Sequence, residues 1–385
     1  MNDAQTPENT YEFFLVVAPG FEALAEKEIS RFTAAPVQRE RGGLTVHLSL
    51  AEGLELNRVL RIPSRILLRL ASFGCRDFPK LFKKTAGFAW NEWVSGPVEF
   101  IASSHKSRLF IKKRIEQTCR EGFEKAQKIG SAPKAVLAST STSTFTVMVR
   151  FLDDVCTFSL DTSGELLHKR GVKTMTSEAP LRETIAAALL EFMGEPQSLT
   201  TLIDPMVGSG TFFFEAAQVA SHRSYAYQQI PKYLALAGSE SQISGPTAQE
   251  RATSSAKKFS RFIGFEIDPK TAEAARENLK SIAGVEIEVA DIFDAKPLVL
   301  EGPGWVIANP PYGERLKIEG RLKDFYELLF ESCERVARPE KACFVLPDSS
   351  KPEKLRPPRQ WRVEKTLKFQ NGGLPVTALL FSRSV

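Results

Sequence analysis

The sequence is poor in residues that cross-link small proteins or hold metal ions. Five cysteines and four histidines are scattered over 385 residues, and no Cys-x-x-Cys pair occurs. An odd number of dispersed cysteines predicts neither a disulfide framework nor a zinc site. We therefore expect no metal, a reducing compartment and, most simply, a cytoplasmic protein.

Long apolar runs are also missing. No run approaches the roughly 20 residues that a membrane helix requires, so no membrane partner is expected. Residues 1–10 are polar and slightly acidic, unlike a secretory signal. A hydrophobic fraction of 43% and a charged fraction of 25% are ordinary for a globular chain, and the length predicts two or three domains. We expect a monomer.

Positive charge is concentrated in one segment. The net charge is only +5, but residues 76–128 contain 12 Lys or Arg and 6 Asp or Glu. A basic patch is the footprint expected for a phosphate backbone, although a solvated helix face has the same composition. We favour nucleic-acid binding because of the base-recognition motif described next. Residues 101–114 contain no acid, and their basic residues are Lys106, Arg108, Lys112, Lys113 and Arg114.

The most specific motif is Asn309-Pro310-Pro311-Tyr312, which follows a predicted buried strand at residues 305–308. The side-chain oxygen of Asn309 and the carbonyl of Pro310 can both accept hydrogen bonds from one exocyclic amine. The two prolines stiffen the loop and remove backbone donors, and Tyr312 offers a flat face for stacking a base. The motif predicts a clamp for a nucleobase amine, whereas the alternative is a plain Asn-Pro turn.

A glycine-rich turn lies about a hundred residues upstream. A predicted strand at residues 198–203 runs into Asp204-Pro205-Met206-Val207-Gly208-Ser209-Gly210-Thr211, and a predicted helix follows at residues 212–220. Strand, glycine turn and helix open a nucleotide-binding α/β unit, with Thr211 as the expected helix cap. Phe213 occupies the third glycine position of the dinucleotide fingerprint, which argues against NAD.

An acidic residue ends the next predicted strand, at residues 261–266. Glu266 is placed to bind ribose hydroxyls, and Ile267 follows it. We interpret Asp268 as the cap of a helix that begins at Pro269 rather than as a cofactor contact.

A second acid, Asp291, follows the predicted strand at residues 285–289. Asp291 could accept a hydrogen bond from an adenine amine while Ile292 flanks the ring. The alternative is an aspartate solvated in a loop.

These segments stand at the carboxyl ends of successive predicted strands, the edge at which open α/β sheets bind ligands. As a set they resemble the class I S-adenosyl-L-methionine-dependent methyltransferases that methylate exocyclic amines of nucleobases. The resemblance covers residues 175–385 and implies an α/β, Rossmann-like fold whose seven-stranded sheet has an antiparallel last strand. It implies that the cofactor contacts Asp204, Pro205, Met206, Gly208, Gly210, Thr211, Glu266, Ile267, Asp291, Ile292 and Asn309, and that Asn309, Pro310, Pro311 and Tyr312 form the catalytic loop.

The amino-terminal part is predicted to contain two α+β modules. Alternating strands and helices over residues 1–74, among them a strand over residues 41–50 and a helix over residues 54–60, suggest a ferredoxin-like module. Residues 75–165 resemble a THUMP domain, an RNA-binding module, with predicted strands at residues 98–102, 135–138, 145–151 and 155–160. The methyltransferase domain is expected at residues 166–385, with an insertion of unassigned role at residues 222–258.

The junction between these parts carries a further resemblance. Residues 161–171 and 179–184 look like the junction in bacterial 23S rRNA guanine-N2-methyltransferases with an amino-terminal THUMP domain. The alternative is an ordinary linker. The resemblance adds Lys169 and Arg170 to the expected RNA-binding set.

The implied reaction is methylation of the exocyclic N2 amine of a guanosine in RNA, most simply 23S rRNA. Longer members of the family carry a second methyltransferase domain, so one modification is expected from this chain. Three alternatives remain open: the same chemistry on tRNA, methylation of adenine N6 in DNA or RNA, and a non-catalytic RNA-binding assembly factor.

Overall fold

The computed structural model describes residues 10–132, 144–169, 181–217, 259–313 and 322–384. These residues divide into two compact units. The first unit includes the described parts of residues 10–17 and 29–167, and the second includes residues 18–28 and the described residues from 168 onward. The strand predicted at residues 135–138 and the insertion predicted at 222–258 lie outside the described residues.

The described residues up to Asp161 contain one mixed sheet and four α-helices, of which the helix at Glu22–Ile29 falls almost entirely in the second unit. The described strands of this sheet have the order β2-β3-β1-β4-β7-β6-β5, and all neighbours are antiparallel except β5 and β6. The elements are β1 (Tyr11–Val16), α1 (Glu22–Ile29), β2 (Val37–Glu40), β3 (Gly43–Leu48), α2 (Leu50–Val59), β4 (Arg65–Gly74), α3 (Phe78–Ala86), β5 (Val98–His105), α4 (Lys112–Ile129), β6 (Phe145–Leu152) and β7 (Val155–Asp161).

One strand in this part is not predicted by the sequence pattern, and two predicted boundaries are wrong. The sequence pattern does not reveal β2, a short and largely polar edge strand; with it, the order of elements up to β4 is β-α-β-β-α-β, as in ferredoxin-like modules. The strand predicted over residues 41–50 ends at Leu48. Ser49 caps α2 through a capping box with Glu52, so the helix begins at Leu50 and not at Leu54.

The division of this part at residue 74 stays a prediction. Strands from both sides share one sheet, because β4 pairs with β7 from Leu67 opposite Asp161 to Gly74 opposite Val155. An aromatic core lies at the centre of the unit. Trp90 is fully buried, and the rings of Phe88, Phe100, Phe123 and Phe158 lie 4.6, 5.7, 5.5 and 5.8 Å from it, centroid to centroid.

The second unit contains a sheet whose described strands have the order β10-β9-β8-β11-β12-β14-β13. The strands from β10 to β12 are parallel, and β14 is antiparallel to both of its neighbours. This arrangement confirms the predicted Rossmann-like sheet. The elements are α5 (Glu183–Met193), β8 (Thr200–Asp204), α6 (Thr211–Ala216), β9 (Phe259–Glu266), α7 (Pro269–Leu279), β10 (Val285–Val289), β11 (Gly304–Ala308), α8 (Leu322–Ala337), β12 (Lys341–Pro347), β13 (Trp361–Asn371) and β14 (Leu374–Arg383).

The central strands β8 and β11 differ in composition but not in burial. Every residue of β8 and β11 is buried, as expected for parallel strands covered on both faces. Helix α8 packs Tyr326, Phe330 and Cys333 into the same core. Within the described ranges, no helix is both long and apolar enough to cross a membrane.

Candidate functional site

Four neighbouring parallel strands end at one edge of the second sheet, and each is followed by a polar motif. The register pairs Asp204 of β8 with Gly264 of β9, and Glu266 of β9 with Val289 of β10. Strand β11 pairs with β8 on its other side, and Asn309 follows its last residue. Neighbouring strands are about 4.8 Å apart, so the four ends span about 15 Å. The fold therefore brings the predicted motifs to one edge.

The glycine loop (residues 205–210) connects β8 to α6. Gly208 and Gly210 have φ angles of +53° and +83°, a region that glycine adopts easily. A Cβ at Gly210 would lie 2.6 Å from Leu279 of α7, whereas a Cβ at Gly208 would meet nothing within 4 Å. Gly210 is thus required by packing, and Gly208 borders open space. The predicted cap was wrong: Gly210 is the N-cap of α6, and Thr211 is its buried first residue.

Glu266 holds this loop against the end of β9. One carboxylate oxygen accepts from the Gly208 backbone N–H at 3.1 Å, and the other accepts from the Asp268 N–H at 3.1 Å. A carboxylate oxygen can accept more than one hydrogen bond, so both oxygens retain capacity for ribose hydroxyls. The ribose role of Glu266 stays a prediction.

Asp268 caps helix α7. Its carboxylate accepts from the hydroxyl of Thr271 at 2.6 Å and from the Thr271 N–H at 2.9 Å. These hydrogen bonds hold the pKa of Asp268 below its ordinary value. The prediction that Asp268 caps this helix is confirmed.

Asp204 is a buried acid, with 2% of its surface exposed. Its Oδ1 accepts from the Met206 N–H at 3.0 Å. Burial is the main cause that raises the pKa of Asp204 to about 8; the Met206 hydrogen bond acts against this rise, and the negative charge of Glu266 adds a smaller contribution to it. A cation bound at this edge would favour the ionised carboxylate.

The two isoleucines predicted to contact the cofactor differ in exposure. Ile267 is 67% exposed, whereas Ile292 is 2% exposed and belongs to the core. Asp291 is half-buried, and its Oδ1 accepts from the Phe293 N–H at 2.9 Å. Arg335 of α8 steadies this turn by donating to the Phe293 carbonyl at 2.7 Å. The cofactor contacts of Asp291, Ile267 and Ile292 stay predictions.

The NPPY loop (residues 309–312) is tied to two elements that the sequence pattern does not connect with it. The Tyr312 hydroxyl donates to Oδ1 of Asn309 at 2.6 Å and accepts from Nδ2 of Asn371, the last residue of β13, at 3.0 Å. The Tyr326 hydroxyl of α8 donates to the Pro311 carbonyl at 2.9 Å. Burial raises the pKa of Tyr312 to about 12, so its hydroxyl keeps its proton near neutral pH.

The predicted basic patch lies in the first unit, at the start of α4. Lys112, Lys113 and Arg114 occupy the first turn, which contains no acid, and the helix has no side-chain cap. Cations at a helix N-terminus are electrostatically unfavourable, so this placement does not serve stability. Arg114 also lies over the Phe78 ring, 4.2 Å from its centroid.

The loop before α4 contains an aromatic residue that the sequence analysis overlooked. Phe110 is 70% exposed and stands between Arg108 and Ile111, while Lys106 and Arg108 are exposed as well. An exposed aromatic ring among cations is the signal that could have identified it. Lys169 is exposed but belongs to the second unit, and Arg170 lies outside the described residues.

Comparisons with known proteins agree with this geometry. The protein named ribosomal RNA large subunit methyltransferase K/L from Shewanella sp. (strain W3-18-1) is 27% identical over 389 residues, which cover 96% of this chain and 53% of that protein. This chain spans about half the length of the curated relatives that it matches. A family model described as UPF0020, RMKL-like, methyltransferase domain, matches residues 170–377.

Solved structures share the fold. A structure from Clostridium difficile 630 described as a possible methylase is 24% identical, has a TM-score of 0.79 and covers 98% of this chain and 99% of its own. SMU.472, a methyltransferase complexed with SAH, is 24% identical, has a TM-score of 0.78 and covers the same shares. Because the family match takes in more than half of the residues, the chain belongs to the RMKL-like methyltransferase-domain family.

Proposed function

We propose that this protein transfers a methyl group from S-adenosylmethionine to the exocyclic N2 amine of a guanosine in RNA, with large-subunit ribosomal RNA as substrate. The observation that carries the proposal is the NPPY loop at the same sheet edge as the glycine loop, Glu266 and Asp291. The name of the Shewanella relative supports ribosomal RNA as the substrate class.

The residues at this edge fit the cofactor. Open space at Gly208 leaves room for a ligand, the exposed Ile267 offers an apolar surface for a purine ring, and Glu266 keeps acceptor capacity for ribose hydroxyls. Glu266 supplies negative charge at this edge, and a bound sulfonium would favour the ionised form of Asp204 as well. When bound, S-adenosylmethionine supplies an electrophilic methyl group. SMU.472, which shares the fold, was crystallised with SAH.

The acceptor amine needs orientation because its lone pair is delocalised into the guanine ring. Oxygen acceptors at Asn309 and Pro310 would bind its two hydrogens and favour the positive charge that develops as the amine attacks. Holding the amine in line with the methyl group supplies much of the remaining rate enhancement. The base must leave its stack at a cost of a few kcal/mol, which stacking on Tyr312 partly offsets.

RNA would bind to the basic surface of the first unit, the part predicted to be a THUMP domain. Lys112 and Lys113 oppose the dipole of α4, and a phosphate at the helix N-terminus would remove that conflict. Phe110 would stack on an unpaired base beside them. An enzyme that modifies a structured RNA needs a basic surface that binds the phosphate backbone. It also needs a clamp that holds the target base, the role proposed for the loop at the sheet edge.

Incubation of the full chain with tritiated S-adenosylmethionine and separate unmodified 23S rRNA and tRNA tests the proposal. We expect tritium in 23S rRNA. Label in tRNA alone would assign the tRNA alternative, and label in adenosine would assign adenine-N6 methylation. If the protein binds RNA without the cofactor and transfers no tritium to it, the protein would be a non-catalytic RNA-binding factor.

A further inference from the structure

We propose that Asn371, acting through Tyr312, is a positioning residue that fixes which end of the Asn309 side-chain amide faces the acceptor amine. This inference rests on the proposed function, since it concerns the same loop. The three side chains form a continuous chain of hydrogen bonds, from Asn371 Nδ2 to the Tyr312 hydroxyl at 3.0 Å and from that hydroxyl to Asn309 Oδ1 at 2.6 Å. We call this chain the amide relay.

The direction of the relay follows from the donors and acceptors available. The NH2 group of Asn371 can only donate, so the Tyr312 oxygen accepts from it and directs its single hydrogen to Asn309. At 2.6 Å the second bond is at the short end of the O–H···O range. The oxygen of Asn309 is thereby held next to Tyr312, and its second lone pair is left for a substrate amine. A flipped amide would present NH2, which repels an amine donor.

Rigid surroundings suit Asn371 to this task. It ends β13 and pairs with Leu374 of β14 across a two-residue turn, Gly372-Gly373, whose φ angles are +60° and +89°. Turns with two positive φ angles match the twist of the strands and fix a hairpin tightly. The hydroxyl of Tyr312 keeps its proton over the working pH range because the ring is buried. Tyr326 holds the same loop separately, through the Pro311 carbonyl.

The substitution Asn371→Asp tests the relay with almost no change of shape. A carboxylate accepts and cannot donate, so the Tyr312 hydroxyl would turn towards it and release Asn309. We expect kcat to fall by about 10- to 100-fold, as misplacement of a reacting group does, with the KM for RNA and the Kd for S-adenosylmethionine changed by less than about twofold. Gln370→Glu is the matched control, because Gln370 is exposed and the substitution adds the same charge at the neighbouring position. Wild-type kcat in Asn371→Asp would overturn the proposal.

Non-additivity separates a relay from independent packing roles. If Asn371 acts through the Tyr312 hydroxyl, then Asn371→Ala should lower kcat in the wild type and change it little in a Tyr312→Phe background. Effects that multiply in the double variant would contradict the relay. Thermal melting and cofactor binding of each variant show whether the fold persists.

A measurement that does not depend on catalysis keeps the relay distinct from the proposed function. In the 15N-labelled full chain, the side-chain amide resonance of Asn309, assigned through Asn309→Asp, should shift in both Asn371→Asp and Tyr312→Phe and stay in place in Gln370→Glu. An unshifted resonance in the first two variants overturns the relay. Absence of methyl transfer by the wild type to any RNA would overturn the proposed function, while the resonance would still decide the relay.

Discussion

The NPPY loop and the basic surface at the start of α4 are stabilised in opposite ways. Among the described residues, hydrogen bonds from Asn371 and Tyr326 secure the first, and its Tyr312 is partly buried. The second is exposed, and Lys112 and Lys113 raise its electrostatic energy at the positive end of a helix. The first region specifies geometry and the second supplies charge. The comparison therefore predicts that changes in the loop alter turnover, whereas changes on the basic surface alter RNA affinity.

The largest expected effect is on stability, at Asp204, the buried acid that precedes the glycine loop. The folded pKa of Asp204, about 8, is raised above the ordinary value of 3.8, so its contribution to stability is present below pH 4 and is lost as pH rises towards 8. The loss is at most about 1.4 kcal/mol per pH unit. Asp204→Asn keeps an acceptor for Met206, so its unfolding free energy should rise relative to the wild type between pH 4 and pH 8. Urea unfolding at several pH values measures this.

A control for that experiment is the exposed acid Asp268. Its pKa is lowered by Thr271, so Asp268→Asn should show no relative gain in stability as pH rises from 4 to 8. Parallel curves for wild type and Asp204→Asn would show that Asp204 has the same pKa in the folded and the unfolded protein, which would contradict its raised pKa.

The next effect is on turnover. Asn309→Ala should lower kcat by about 10²- to 10³-fold, because the variant lacks one preorganised acceptor for the developing charge. Its Kd for S-adenosylmethionine, measured by calorimetry, should stay close to the wild-type value. Unimpaired turnover would remove Asn309 from the proposed clamp, and a collapse of cofactor affinity would place it in the cofactor site instead.

The basic surface should respond in the reverse manner. Lys112→Glu with Lys113→Glu should weaken RNA binding about tenfold or more and reduce the slope of log K against log salt by about 0.7–0.9 for each phosphate that is no longer neutralised. The same double variant should be more stable, by about 0.5 kcal/mol per site, because acids suit a helix N-terminus. Filter binding at several salt concentrations and thermal melting measure the two effects.

Lys128→Glu provides the matched control, since Lys128 lies in the last turn of α4. It makes the same charge change as Lys112→Glu alone, but at the negative end of the helix, so it should lower stability and leave the salt slope close to that of the wild type. Equal loss of RNA affinity in both variants would mean that net charge, and not this surface, attracts RNA.

The smallest effect separates stacking from charge on the same surface. Phe110→Ser should weaken RNA binding by about tenfold or less and leave the salt slope unchanged, because base stacking involves no release of ions. Phe78→Leu is unsuitable as a control, since Phe78 supports Arg114. Ile129→Ser, at an exposed apolar residue at the far end of α4, should leave affinity unchanged.

Sequence patterns correctly predicted the strand bounds and the helix cap that depend on residues adjacent in the chain. Strand β10 was predicted with its observed bounds, and β9 and β11 within two residues, because apolar runs end there in acids or in an Asn-Pro step. The cap at Asp268 was correct for the same reason, since Pro269 follows it directly. The short strand β2 was missed because its residues are mostly polar. It is a strand because it pairs with β3, and that pairing is not visible in its own sequence.

Contacts between residues far apart in the chain could not be predicted from the sequence. Asn371 and Tyr312 are 59 positions apart, and only the β13–β14 hairpin brings them together. The N-cap of α6 depends on the left-handed conformation of Gly210, where Leu279 leaves no room for a Cβ, so the residues next to it in the chain did not exclude Thr211 as the cap. Phe110 is an aromatic residue among cations and could have been identified from the sequence, but the prediction of the RNA-binding surface used charge alone.

The most direct test of the central claim is nucleoside analysis of unmodified 23S rRNA after incubation with S-adenosylmethionine and either the wild-type chain or Asn309→Ala. We predict that mass spectrometry finds N2-methylguanosine after treatment with the wild type and almost none after treatment with the variant. N6-methyladenosine in place of N2-methylguanosine, or equal N2-methylguanosine from both proteins, would contradict the claim that this loop orients a guanine amine for methyl transfer.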